Sequence, residues 1–144
     1  MPTSENEIAH KIIGCAIEIH KTLGPGLVDS VYRDCLFYEL QKLGIMVERS
    51  RQMPVVYKEL SLDYGYNIDL TADDKVIIEV ICVDKITDAE LSKMNKLLKL
   101  SGHNLGLIIN FNSPLLKDGI RRIGGTALRG FTEDRAQEHE NVSA

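Results

Sequence analysis

The sequence predicts an α/β or α+β sandwich in which helices flank a mixed central β-sheet. Three observations support this class. Two amphipathic helical segments open the chain, a run of strand-like segments follows between residues 45 and 84, and a further helix and strand come after it. At 144 residues the chain is long enough for one domain with a substantial core and too short for two. We expect this domain to span residues 1–125 and residues 126–144 to form a mobile tail.

The first helix is predicted over Glu5–Leu23, because Ser4 and Glu7 have the spacing of a capping box. Apolar residues then recur at helical intervals, at Ile8, Ile12, Ala16, Ile19 and Leu23. The Gly-Pro-Gly sequence at residues 24–26 ends the helix, since glycine permits unusual backbone angles and proline cannot continue the helix.

A second helix is predicted over residues 28–43, with Gly44 as its stop. Its predicted apolar side contains Val31, Cys35, Leu36, Leu40 and Leu43. Asp29 and Tyr32 are three residues apart and therefore share one face of this helix. Two interpretations of the pair stay open. Either the carboxylate is functional, or Asp29 is a favourable charge in the first turn and Tyr32 lies at the edge of the core.

Strands are predicted from residue 45 onward, where the periodicity changes. Short strands are expected at residues 45–49, 54–57 and 60–62, with a turn at Lys58 and Glu59. Residues 64–84 predict two longer strands joined by a tight turn at Asp73 and Asp74. This pair of strands forms the predicted centre of the sheet.

Two carboxylates, Asp69 and Glu79, lie among apolar neighbours on these two central strands. Because side chains alternate between the faces of a strand, the intervening turn brings both acids near one another. A carboxylate in apolar surroundings is costly unless it is paired or binds a cation, so two on one face form a candidate Mg²⁺ or Mn²⁺ site. The alternative is structural: one acid lies at a solvated sheet edge and the other pairs with a lysine.

A third helix is predicted after these strands, because Thr87 and Glu90 repeat the capping-box spacing and Gly102 supplies a stop. Its core side contains Leu91, Met94, Leu97 and Leu98, and its basic side contains Lys93, Lys96 and Lys99. Residues 105–110 predict a buried strand. Residues 115–123 predict a short helix that carries Lys117, Arg121 and Arg122.

Composition and charge exclude several classes of protein. A net charge of −4 argues against coating nucleic acid by bulk attraction, although it permits a local basic cleft. The three cysteines form no CxxC pair and the four histidines lack zinc-ligand spacing, so we expect core thiols in a reducing compartment and no structural zinc. No apolar run reaches the roughly 18 residues of a membrane span, and the N-terminus lacks the order of a secretory signal. We therefore expect a cytoplasmic location without membrane contact.

Four stretches of the chain carry a resemblance to a known family: GPGLVDSVY, YGYNIDL, KVIIEV and LKLSGHNLGLIINFN. In order and spacing they resemble the GxxExxY family of the PD-(D/E)XK nuclease superfamily, over residues 8–123. The resemblance implies a restriction-endonuclease-like sandwich around a mixed sheet. In active members an acid on the early helix, a strand aspartate and the next strand's glutamate hold one or two divalent ions. The lysine two residues after that glutamate assists the attacking water.

The match to the family is incomplete at several positions. Gly26 and Tyr32 fit the GxxExxY signature, whereas its glutamate is Asp29 in this chain. Asp69 and Glu79 fit the two strand acids, so the resemblance implies that Asp29, Asp69 and Glu79 are the metal ligands.

The lysine position of the family is occupied by Ile81, which cannot donate a hydrogen bond. Ile81 also adds apolar volume beside Glu79, which predicts a raised pKa for that acid without a metal. On the following helix, Leu91 and Lys93 stand where the family tends to carry glutamate and then glutamine. One hypothesis is that Lys93 projects its ammonium into the place of the missing lysine and acts as a catalytic residue. The alternative is that Lys93 is a surface residue and the site has decayed.

These residues leave two main hypotheses for function. The first is a Mg²⁺- or Mn²⁺-dependent nuclease that uses Asp69, Glu79 and Lys93, with activity that is weak or lost because its site is degenerate. The second is a catalytically inactive family member that binds nucleic acid or another protein. A homo-oligomeric interaction module is a third and less favoured hypothesis. The sequence identifies neither the substrate nor a stacking platform for bases.

Overall fold

The computed structural model describes residues 4–124, and the predicted tail at residues 126–144 lies outside them. The described chain contains three α-helices and a five-stranded mixed sheet, which confirms the predicted α+β class. The elements in order are α1 (Glu5–Leu23), α2 (Asp29–Lys42), β1 (Val47–Tyr57), β2 (Leu60–Ala72), β3 (Val76–Ile81), α3 (Asp88–Ser101), β4 (Leu105–Asn110), a 3₁₀ turn (Leu116–Gly119) and β5 (Ile120–Gly124).

The five strands lie side by side in the order β1-β2-β3-β4-β5. Neighbouring strands are antiparallel except β3 and β4, which are parallel. A parallel pair needs a crossover, and α3 supplies it. Every residue of β4 is buried, as expected for a strand covered on both faces.

Two apolar clusters cover the two faces of the sheet. Helices α1 and α2 pack on one face, where Ile12, Leu36 and Leu107 belong to one buried cluster. Helix α3 packs on the other face, where Met94 and Ile108 belong to the second cluster. The side chains of β3 therefore divide between a face under α1 and α2 and a face under α3.

Local cap signals fix the ends of α1 and α3. The Ser4–Glu7 and Thr87–Glu90 capping boxes are both formed, so each helix begins at the predicted residue. Helix α3 ends at Gly102, whose φ of 78° lies in the left-handed region that glycine adopts readily.

Three parts of the strand and helix prediction are wrong. The separate short strand predicted at residues 60–62 is the beginning of β2, which runs unbroken from Leu60 to Ala72. The short strands at residues 45–49 and 54–57 are one continuous strand, β1, which tolerates Pro54 because it is a sheet edge and shifts register between Pro54 and Val55. The helix predicted over residues 115–123 is a 3₁₀ turn followed by β5. Ile120 and Ile123 are both buried, and their spacing imitates a helical pattern, but pairing with β4 decides the structure of this segment.

The predicted apolar side of α2 is partly wrong. Leu36 and Leu40 are fully buried, whereas Val31 and Leu43 are exposed. Tyr32 is also fully buried, so the buried stripe runs through residues 32, 36 and 40 at intervals of one turn. Tyr32 is therefore a core residue and not, as one interpretation had it, at the core edge.

All three cysteines are free thiols, but the prediction of core positions holds fully only for Cys15, because Cys35 and Cys82 are only partly buried against the cluster under α1 and α2. No helix within residues 4–124 is long and apolar enough to cross a membrane.

Candidate active site

Asp69 and Glu79 meet where β2 and β3 separate. The β2–β3 ladder pairs Leu70 with Ile78 and is not continued beyond that pair, so the next residues on each strand are these two acids. The Val80 amide donates to Asp69 Oδ2 at 2.8 Å, and the Asp69 amide donates to Glu79 Oε2 at 3.4 Å. The two carboxylates thus accept hydrogen bonds from backbone amides that would otherwise pair with carbonyl groups of the neighbouring strand.

The backbone is irregular at this point of the sheet. Ile68 belongs to the cluster under α3, whereas Leu70 belongs to the cluster under α1 and α2. Residues two apart normally share a face, so the alternation is interrupted at Asp69. On the adjacent strand, Ser50 has a φ of 58°, a left-handed value that is uncommon for a residue other than glycine. This distortion turns Asp69 toward β3.

Both carboxylates of this pair are largely buried, and their pKa values rise accordingly. Glu79 is only 7% exposed, and burial followed by repulsion from Asp69 raises its pKa to about 7. Burial also raises the pKa of Asp69, although the Val80 amide and the Arg33 guanidinium act in the opposite direction. The structural alternative is wrong in placing one acid at a solvated edge, since neither side chain is exposed, but it is right that the other acid pairs with a lysine, because Glu79 contacts Lys93.

Lys93 approaches Glu79 from α3. Its Nζ lies 3.5 Å from Glu79 Oε1, and about half of the lysine side chain is exposed. A groove of about 230 Å³ opens beside this ion pair. Its lining consists of Glu79, Ile81, Ala89, Glu90, Lys93 and Ile108. Lys93 and Ile81 therefore border the same groove, which is the geometry that the relocated-lysine hypothesis requires.

A second cation, Arg33, lies at the opposite side of the acid pair. Arg33 Nε lies 3.7 Å from Asp69 Oδ1, and Arg33 Nη2 lies 3.5 Å from Asp29 Oδ2. The sequence interpretation missed this residue. The available signal was its position four residues after Asp29 on a predicted helix, a spacing at which an acid and a base contact one another.

A family comparison agrees with this arrangement. The family model of the PD-(D/E)XK nuclease superfamily matches residues 6–123. The chain belongs to the PD-(D/E)XK nuclease superfamily. Its mixed sheet with flanking helices is consistent with the restriction-endonuclease-like fold of that superfamily. Comparisons with curated proteins and with solved structures found no match.

Membership of the superfamily supports a nuclease-like protein and suggests an interaction with nucleic acid, and nucleases of this superfamily generally use divalent metals. Carboxylate oxygens are the donors that Mg²⁺ and Mn²⁺ prefer, and Asp69 and Glu79 supply them from adjacent strands. Within residues 4–124, no three His, Cys, Asp or Glu side chains form a group that could hold a metal ion. Asp29 is half-exposed and contacts Arg33, so the structure brings together two of the three predicted ligands.

The predicted signature residues Gly26 and Tyr32 shape the loop before α2. Tyr32 Oη donates to the Gly24 carbonyl at 2.5 Å and accepts a hydrogen bond from the Leu27 amide at 3.1 Å. Gly26 has a φ of 110°, which only glycine adopts without strain. The tyrosine thus ties the loop to the start of α2, the turn that carries Asp29.

Proposed function

We propose that this chain is a metal-dependent nuclease of the GxxExxY type whose active site is degenerate, so that it hydrolyses phosphodiester bonds slowly. Residues 1–125 form the nuclease-like domain in this proposal. The observation that carries it is the 3.5 Å contact between Lys93 Nζ and Glu79 Oε1 beside Ile81. A primary amine from α3 contacts the strand glutamate and borders the same groove as Ile81, the residue at the lysine position of the family pattern.

The proposed metal ligands are Asp69 and Glu79, with Asp29 as the third carboxylate. A bound Mg²⁺ or Mn²⁺ would polarise the phosphate and lower the pKa of water. Asp69 is held in place by the Val80 amide, which fixes the direction of its carboxylate. The half-exposed Lys93 ammonium can orient water at the groove and stabilise negative charge that develops on a phosphate oxygen.

Three departures from the family pattern support slow chemistry. Ile81 stands in place of the strand lysine, and Asp29 is one methylene shorter than the signature glutamate. The remaining amine, that of Lys93, is carried by a long, half-exposed side chain. A flexible ammonium spends less time in a productive position than one fixed by packing. The cytoplasmic location remains a prediction from the sequence.

A second candidate function is an inactive module that binds nucleic acid or another protein. The favouring observation is that Lys93 and Arg33 already contact Glu79 and Asp69. Two protein cations then offset the charge of the two buried acids, so the fold does not require a metal to tolerate them.

Cleavage assays distinguish these functions. Metal-stripped protein is incubated with single- and double-stranded DNA and RNA in Mn²⁺, in Mg²⁺ and in EDTA. We expect slow cleavage that EDTA and Asp69→Ala abolish. Lys93→Ala should reduce the rate by about a hundredfold, as expected for the loss of one charge-stabilising donor.

Lys96→Ala is the matched control, because Lys96 is an exposed lysine on the same helix. Equal rates for the Lys93 and Lys96 variants would reject the relocated-lysine role. If the protein binds Mn²⁺ but cleaves none of these substrates, the nuclease function is rejected and the inactive binding module is supported instead.

A further inference from the structure

Arg33 occupies the space between the helix acid and the strand acid of the site. It projects from α2 one turn after Asp29, and its guanidinium reaches Asp29 through Nη2 at 3.5 Å and Asp69 through Nε at 3.7 Å. The side chain is 23% exposed. The guanidinium therefore fills the gap that a metal ion shared by Asp29 and Asp69 would have to enter.

The contacts that hold the partly buried Arg33 are loose. Its Nε atom is buried and has no hydrogen-bond partner, and both carboxylates lie at ion-pair distances beyond a good hydrogen bond. Arginine usually binds a carboxylate with two directed hydrogen bonds. An unsatisfied buried donor is unfavourable, so this arrangement is poorly stabilised and a stronger partner for Asp69 can displace the guanidinium.

Charge leads to the same conclusion. The carboxylates of Asp29, Asp69 and Glu79 face the cations Arg33 and Lys93, which leaves one net negative charge when all five groups are ionised. Without Arg33 these groups would carry two negative charges, which match a divalent ion. Arg33 therefore lowers the attraction of the site for a metal.

We propose that Arg33 is an internal competitor of the divalent metal, and that it must leave Asp69 before Asp29 can join Asp69 and Glu79 as a ligand. This inference rests on the proposed metal site. It makes Arg33 a positioning residue that sets the metal affinity of the resting protein. Asp29 then has two roles, as the partner of Arg33 without metal and as a ligand with it.

Calorimetric titration of Mn²⁺ into the metal-stripped full chain tests this competition. Arg33→Gln is expected to bind Mn²⁺ about tenfold more tightly than the wild type, because the competing charge is gone. Arg33→Lys retains a cation and should stay close to wild-type affinity. Arg49→Gln is the matched control, since Arg49 pairs with Asp34 at 2.8 Å between α2 and β1 and its loss changes the net charge equally.

Thermal unfolding gives a second readout that does not depend on catalysis. Without metal, Arg33→Gln should unfold at a lower temperature than the wild type, because Asp69 has lost a counter-ion. With saturating Mn²⁺, its gain in unfolding temperature should exceed that of the wild type. If Arg33→Gln does not fold, Arg33→Met keeps an apolar stem in place and undergoes the same two measurements.

The outcomes separate this inference from the proposed function. Tighter Mn²⁺ binding by the neutral variant alone supports the competition, even if the wild type binds too weakly to detect. Equal affinity in both proteins overturns the competition and leaves the metal site standing. Weaker binding by the variant also overturns it and shows that Arg33 supports the ligands. Absence of binding in every protein at millimolar metal overturns the inference and the metal site together.

Discussion

Replacing Glu79 with glutamine is expected to stabilise the metal-free protein at and above neutral pH. Burial and the neighbouring Asp69 raise the pKa of Glu79 from 4.5 to about 7. Between these two values the folded protein binds a proton that the unfolded chain has released, so the free energy of unfolding falls as pH rises through this window. Glutamine does not ionise, and the variant loses this part of the pH dependence.

The size of the effect follows from the difference in pKa. One pKa unit corresponds to about 1.36 kcal/mol, so the rise to about 7 corresponds to about 3 kcal/mol of stability lost across the window. The pKa of Asp69 is raised as well, chiefly by burial, so a smaller slope of the same sign remains in the variant. Below the window Glu79 is protonated in both the folded protein and the unfolded chain, and the stabilities of the wild type and the variant converge there.

Urea unfolding followed by circular dichroism in EDTA measures this difference between about pH 5 and about pH 8. We expect the free energy of unfolding of Glu79→Gln to exceed that of the wild type by a margin that grows steadily as the pH rises. Glu59→Gln is the control, because Glu59 lies in the exposed turn between β1 and β2. Parallel pH profiles for the wild type and Glu79→Gln would refute the reasoning, since Glu79 would then ionise as easily in the folded protein as in the unfolded chain.

Two further predictions concern the missing lysine and the loop before α2. Adding Ile81→Lys to the Lys93→Ala variant should restore cleavage to at least the wild-type rate, because the ammonium then rises directly from the strand of the acid pair; an unchanged rate in the cleavage assay contradicts this. Tyr32→Phe should lower the free energy of unfolding by about 1 to 3 kcal/mol, since it removes the buried hydrogen bond to the Gly24 carbonyl. Tyr38→Phe, at an exposed position, should change stability little in the same urea titration.

Much of the fold is predictable because its signals are local. The capping boxes and glycine stops of α1 and α3 act within a few residues, so the sequence alone predicts these helix ends. The turn between β2 and β3 is equally local, and Asp73 and Asp74 both adopt positive φ there. The segment at residues 115–123 is different, because only the edge of β4 selects a strand over a helix.

The site shows the same division between local and tertiary causes. Alternation along two strands and a short turn predict that Asp69 and Glu79 approach each other, and the structure brings them together, although the alternation itself breaks at Asp69. Arg33 is not predictable as a partner of Asp69, because their contact depends on how α2 packs against β2. The direction of Lys93 likewise depends on where α3 crosses the sheet.

The element that carries the cation beside the acid pair determines how firmly the cation is positioned for catalysis. A lysine on β3 would be fixed by the strand that also carries Glu79, whereas Lys93 reaches Glu79 from a separate element. Glu79 is buried at a position where its charge lowers stability, and Lys93 offsets that charge without immobilising a catalytic group. The same contact therefore stabilises the fold and makes the proposed catalysis slow. Moving the amine back to residue 81 separates these two effects, because only catalysis depends on how tightly the ammonium is fixed beside the substrate.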